Sequence, residues 1–257
     1  MRRRLCPILF ATLLAMLGVW RPTGARAAAA PVVGRLTWFG QSCFLLETAA
    51  GTRVLIDPIP RNLGYALPAG LRADLVTISH EHPDHANLAM VTGKPHVIHG
   101  LTADKKGWAH IDERFRDVSV RSVGVYHDDR RGALRGLDTV FVFEVGGLRI
   151  AHLGDLGHTL DDDQLEAIGS VDVLLVPVGG GTTVDAYQAT RVVDQLHPRL
   201  MVVPMHYKTE ASTSKDLAPL DAFLERKANV RREAGPTVVL TSVKARPATE
   251  IVVLNWH

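Results

Sequence analysis

Three imidazoles and the carboxylate of Asp84 fall within the six residues His80 to His85, in the stretch Ser79-His80-Glu81-His82-Pro83-Asp84-His85. Such a group can bind metal ions. Alternate side chains of an extended backbone share a face, so His80 and His82 point the same way, as two ligands of one cation must. Asp84 and His85 follow around a turn, where they can serve a neighbouring ion. Imidazole nitrogen and carboxylate oxygen without thiolate suit zinc, and manganese or iron as well.

The elements around this cluster have to place it. An apolar run from Leu75 to Ile78 reads as a buried strand that ends in the cluster, and strand ends are where catalytic groups tend to sit. Earlier segments, 35–39, 43–47 and 53–56, are short and alternating or apolar, separated by glycine-containing turns, and read as a strand meander. Strands follow at 117–125, 139–145 and 148–152, the last two joined by a Gly146-Gly147 hairpin turn. Helices are expected over 161–168, 185–196 and 217–226, with strands at 171–176, 200–203, 238–240 and 251–254 between and after them. Strand runs followed by helices, then the same again, predict two sheets face to face with helices outside, a four-layer αββα sandwich of the α/β class. No linker or short-period repeat divides it, so residues 28–257 read as one domain.

The first residues have a different character. Arg2, Arg3 and Arg4 precede an apolar run from Leu5 to Trp20 that is short for a membrane span, and Ala25-Arg26-Ala27 supplies a small-x-small cleavage site. Residues 1–27 therefore read as a secretory signal, the alternative being an uncleaved anchor, and the mature protein is expected in the periplasm or outside the cell without stable membrane insertion. Removing them takes away five arginines and no acid, which leaves 24 basic against 27 acidic residues, a formal charge of about −3. No basic stripe interleaved with aromatics remains, so nucleic acid is not an expected partner. Cys43 is then the only cysteine, and the monomer can form no internal disulfide.

Positions 80 to 85 match in full the H-x-H-x-D-H signature of the metallo-β-lactamase superfamily, which this chain resembles over nearly its whole mature length. The resemblance implies further ligands at His127 in Val125-Tyr126-His127-Asp128, Asp155 in His152-Leu153-Gly154-Asp155 and His206 in Pro204-Met205-His206, and an acid at the end of an early strand, here Asp57. It places one ion on His80, His82 and His127 and a second on Asp84, His85 and His206, with Asp155 bridging. Two divalent ions, zinc first among them, lower the pKa of a shared water from about 16 towards 7 and make hydroxide available for attack on a carbonyl or phosphoryl centre. Asp84 then orients or deprotonates that water, and Asp57 holds the histidine loop from behind, unless it only shapes the turn before Pro58.

Within the superfamily the chain is most similar to the UlaG-like branch of metal-dependent hydrolases, through Tyr126-His127-Asp128, the stretch from His152 to His158, and Pro204-Met205-His206-Tyr207-Lys208. Asp155 stands where true β-lactamases often carry cysteine, and position 85 is histidine, so β-lactam hydrolysis is at most a weak activity. The resemblance implies an ester, lactone or phosphodiester bond of a small molecule as substrate, and extends to a homo-oligomer, since related small hydrolases often self-associate. The competing class is a non-catalytic metal-binding protein on the same fold. Three residues are candidates to touch substrate: His158 beside Asp155, Lys208 beside His206, and Gly180 in the run Gly179-Gly180-Gly181 ahead of a helix. Each has an ordinary alternative: a structural histidine, a solvated lysine and a tight turn. His152 reads as structural.

Overall fold

Strand Phe44–Thr48 shows why Phe44, Leu45 and Leu46 follow one another without a polar residue between them. Phe44 and Leu46 point into one buried cluster and Leu45 into another, so both faces of the strand are covered. Arg53–Ile56 divides the same way, Val54 and Ile56 to one side and Leu55 to the other. The computed structural model describes residues 30–242 and 248–257. The expected signal at 1–27 lies outside them. These strands sit in a six-stranded sheet in the order Thr237–Thr241, Val32–Trp38, Phe44–Thr48, Arg53–Ile56, Leu75–Ile78 and His96–His99. The last three run parallel.

The second sheet has eight strands, in the order Val230–Arg232, Glu250–Val253, Met201–Met205, Val173–Pro177, Leu148–His152, Leu137–Val145, Val118–Tyr126 and Asp112–Phe115. From Val230–Arg232 through Leu148–His152 the pairing is parallel, and beyond it antiparallel. Leu36, Phe44 and Ile56 of the first sheet share a core with Phe141, Val176 and Val203 of the second. The expected sandwich is present.

Helix α1 (Asp162–Ile168) packs on strand Val118–Tyr126, and α2 (Ala186–Leu196) on Val173–Pro177, so both cover the second sheet. Each starts at a capping box, Asp161 with Gln164 and Asp185 with Gln188. The outer face of the first sheet is covered differently, by Ile59, Tyr65, Leu67 and Met90 from loops carrying only the 3-10 turns Arg61–Leu63 and Leu88–Met90. Helix α3 spans Asp221–Leu224, shorter than the expected 217–226. Proline restricts the residue before it to extended backbone. Ala218 is accordingly drawn into strand-like bonds, its carbonyl accepting from Lys208 N at 2.9 Å and its N–H donating to Gly179 O at 2.8 Å. Strands His96–His99, Asp112–Phe115 and Val230–Arg232 are not foreseen in the sequence because each lies at a sheet edge with polar residues exposed. Among the described residues no helix is long and apolar enough to cross a membrane.

Candidate metal centre

Every candidate ligand follows closely on the end of a buried strand. Asp57 comes directly after Ile56, His80 two residues after Ile78, His127 after Tyr126, Asp155 three after His152 and His206 after Met205. Asp57 and His206 turn the chain through left-handed backbone, with φ of 47° and 50°. That conformation costs a non-glycine residue about 1–2 kcal/mol. Bonds offset it: Asp57 N donates to Thr77 O at 2.9 Å, and His206 N to Gln41 O at 3.1 Å. Strands from both sheets thereby deliver their side chains to one edge of the sandwich.

There the side chains sort into groups. Ligand atoms of His80, His82 and His127 lie within 4.8 Å of one another, as do those of Asp84, His85 and His206. Asp155 stands between the groups: Oδ2 is 3.3 Å from His85 Nε2 and 3.4 Å from His127 Nε2, and Oδ1 is 3.3 Å from His206 Nε2. His80, His85, His127, Asp155 and His206 are buried, whereas His82 is exposed and Asp84 half-buried. The mouth of the site is therefore at His82 and Asp84.

A shell of hydrogen bonds fixes these groups. Asp57 is fully buried and accepts from Ser79 N at 2.8 Å, Ser79 Oγ at 2.6 Å and His85 Nδ1 at 2.9 Å. Ser79 Oγ lies 3.0 Å from His80 Nδ1, which ties His80 to the same carboxylate. Ser42 Oγ donates to Asp155 at 3.3 Å, and Gln41 Nε2 lies 2.9 Å from His206 Nε2. His152 spends both nitrogens on backbone, Nε2 on Ser42 O and Nδ1 on Gly154 N, as a structural histidine would. Burial, then the neighbouring His80 and His127, push His82 down to about 4. Burial also holds His127 and His206 low against the pull of Asp155. Near neutral pH these imidazoles are uncharged and present lone pairs. Burial opposes the charge on His85 too, but Asp155 and Asp57 on its two sides outweigh it and keep its pKa well above the ordinary value. Burial raises Asp155, but His206, His85 and His127 hold it well below the usual carboxylate range.

The centre fits metal ions by its unspent atoms. Buried His85 Nε2, His127 Nδ1 and His206 Nδ1 make no hydrogen bond, nor does either oxygen of buried Asp138. Buried polar atoms are ordinarily paired. Four carboxylates, Asp57, Asp84, Asp138 and Asp155, also converge here, and among the described residues their ion pairs are to histidine alone. Buried negative charge against mostly neutral imidazoles calls for cations, and the nitrogen and oxygen donor set suits divalent ones.

The residues expected to touch substrate are occupied elsewhere. His158 Nε2 accepts from Tyr126 N at 3.1 Å and Nδ1 donates to Thr159 O at 2.8 Å. Lys208 Nζ donates to the carbonyls of Ser212 and Ser214. Gly180 closes a tight turn, its N–H on Val184 O and its carbonyl accepting from Thr182 N. None of the three presents a free donor to the site. Asp138, Ser79, Gln41 and Ser42 escape the sequence reading because they lie in no motif, although an acid at the start of an otherwise apolar strand is a signal for Asp138. Asp128, beside His127, accepts the N–H groups of Arg130, Gly132, Leu134 and Arg135 at 2.7–2.9 Å and so shapes the rim loop.

Comparison with known proteins brings four further findings. A family model of the β-lactamase superfamily domain matches residues 35–206. A UPF0173 protein of Pyrococcus abyssi is 32% identical over 71% of this chain and 87% of its own length. A UPF0173 metal-dependent hydrolase of Anaeromyxobacter sp. strain K is 32% identical over 76% of this chain and 82% of its own. Among solved structures, a candidate zinc-dependent hydrolase of the metallo-β-lactamase superfamily from Thermotoga maritima superposes with a TM-score of 0.68 at 35% identity, covering 86% of this chain and 98% of that one.

Proposed function

The chain belongs to the β-lactamase superfamily and is a metal-dependent hydrolase, and from that premise we propose that it cleaves an ester, lactone or phosphodiester bond of a small molecule at a two-ion centre. The observation that carries the proposal is the division of the buried ligands into two groups with Asp155 between them. His80, His82 and His127 would hold one ion, and Asp84, His85 and His206 the other. The ions supply Lewis acidity and bring the pKa of water from about 16 towards 7.

The chain's own groups do the rest. Asp84 is the carboxylate nearest solvent, so its Oδ atoms take the proton of the attacking water and return it to the leaving oxygen. Asp57 keeps the His85 proton on Nδ1 and leaves Nε2 free to face the site. Ser42 and Gln41 hold Asp155 and His206 from the first sheet, which locks the two sheets together at the reacting edge. We further propose, from residues 1–27, that the protein acts in the periplasm or outside the cell.

Elemental analysis of the mature protein, loaded with zinc or manganese, tests this together with a panel of chromogenic phosphodiesters, lactones and β-lactams. Two ions per chain and turnover of one class are expected, with both lowered in His82→Ala. One ion or none in the wild type, or no change in His82→Ala, would overturn the site. Two ions without turnover of any class would favour the metal-binding role.

A further inference from the structure

Asp138 is the second residue of strand Leu137–Val145 and is fully buried, yet neither carboxylate oxygen receives a hydrogen bond. Its Oδ1 lies 3.1 Å from Nδ1 of His80, off the line along which that nitrogen meets Ser79 Oγ at 3.0 Å. The other nitrogen, His80 Nε2, faces His82 at 3.0 Å. Asp138 thus stands at the ring nitrogen opposite the one that faces His82.

The surroundings are shaped to admit it. Gly154 is left-handed, with φ of 52°, and a Cβ there would lie 2.5 Å from Oδ2 and 2.6 Å from Oδ1 of Asp138. Any side chain on the turn before Asp155 would therefore displace the carboxylate. Trp108 fixes the backbone, Nε1 donating to the carbonyls of Asp138 at 2.9 Å and Val125 at 3.0 Å. A carboxylate buried without donors destabilises a fold unless positive charge stands close by. The nearest ring is an imidazole, and an imidazole whose far nitrogen binds a cation becomes a much stronger N–H donor and carries part of the charge.

We propose that Asp138 is the positioning carboxylate of the ion held by His80, His82 and His127, matching through His80 what Asp57 does through His85. It touches neither substrate nor ion and acts by setting the orientation and charge of the His80 ring. The proposal rests on the two-ion reading of the site.

Asp138→Asn preserves shape and removes charge. Chelator titration of the ion-loaded full-length protein reads the two release steps, and His82→Ala identifies which belongs to the His80 group. Asp138→Asn should weaken that step 10–100-fold, as loss of an outer carboxylate typically does, and leave the other unchanged. Thermal unfolding at pH 8 provides a readout that a merely structural role would not give. Metal-free Asp138→Asn should melt above the metal-free wild type, because an uncompensated buried charge is gone, yet gain less on loading. Unchanged release steps, or a metal-free variant that melts lower, would overturn the proposal. If Asp138→Asn does not fold, Asp138→Ala takes its place: formate should restore the weakened step and formamide should not, while equal effects of the two overturn the idea. Absence of both ions from the wild type would instead defeat the two-ion reading itself.

Discussion

Replacing Asp57 by asparagine exposes the logic of the centre most directly. The carboxylate accepts three hydrogen bonds, from Ser79 N, Ser79 Oγ and His85 Nδ1. An asparagine can place its oxygen on Ser79 N, and the Ser79 hydroxyl can rotate to accept from the amide. His85 has no such escape, because its Nδ1–H then meets an N–H. The ring must move its proton to Nε2, the nitrogen that faces Asp155 at 3.3 Å, and so lose the lone pair meant for the ion. One charge-assisted hydrogen bond disappears, worth about 1.5–3 kcal/mol. At about 1.4 kcal/mol per tenfold, that is roughly a 10–100-fold loss of affinity for the ion bound by Asp84, His85 and His206. Asp57→Ala would strand all three donors at about 1–3 kcal/mol each, a large part of a typical total stability of about 5–15 kcal/mol. Asparagine is therefore the informative choice. Chelator competition reads the affinity, and urea unfolding checks that the fold survives. Wild-type affinity for both ions in Asp57→Asn would refute the account of how His85 is held.

Other consequences can be measured independently. Burial raises the Asp128 carboxyl, but its four backbone N–H donors outweigh that and hold it below the ordinary range; a depressed folded pKa gives stability that is present above about pH 3.9 and lost as pH falls through the folded value. The gap between the urea midpoints of wild type and Asp128→Asn should thus be full at pH 7 and narrow as pH falls below about 3.9, and a gap independent of pH would argue against it. Cys43 is fully buried and burial pushes its thiol far above the usual range, so a maleimide should leave it unlabelled in native protein and modify it in urea; rapid native labelling would contradict the packing. Gly157 has no room for a side chain, since a Cβ would come within 2.3 Å of Asp128 N and 2.4 Å of His127 C. Gly157→Ala should cost about 1–3 kcal/mol by overpacking and reduce ion content through His127, both absent if the loop yields freely.

What the sequence disclosed depended on how local its cause was. Strands such as Arg53–Ile56, Leu75–Ile78 and Leu148–His152 are legible because apolar residues dominate them and nearly every position is buried. Helices α1 and α2 are marked by their caps, Asp161 and Asp185. The edge strands were hidden by their polar residues, and α3 was overestimated because Pro219 diverts the chain into a bridge with Lys208. The cluster at His80 to His85 announced itself by density, whereas His127, Asp155 and His206 were found through resemblance. Gln41 could not be read at all, and Asp138 only as an acid opening an apolar strand, since their meaning lies in partners far away in the chain: Asp138 beside His80, Gln41 against His206 across 165 residues.

The rim loop after His127 takes its path from main-chain N–H groups gathered on the Asp128 carboxylate, with Arg131, Gly132 and Gly136 in left-handed backbone. The side chains of Asp129, Arg130, Ala133, Leu134 and Arg135 take no part in that gathering. Shape and chemical content are therefore separable here: the loop is a fixed frame whose lettering can be rewritten. A library of variants at these five positions, with Asp128, Arg131 and the two glycines kept, would change what the mouth of the site offers a substrate while leaving the ion centre beneath it undisturbed.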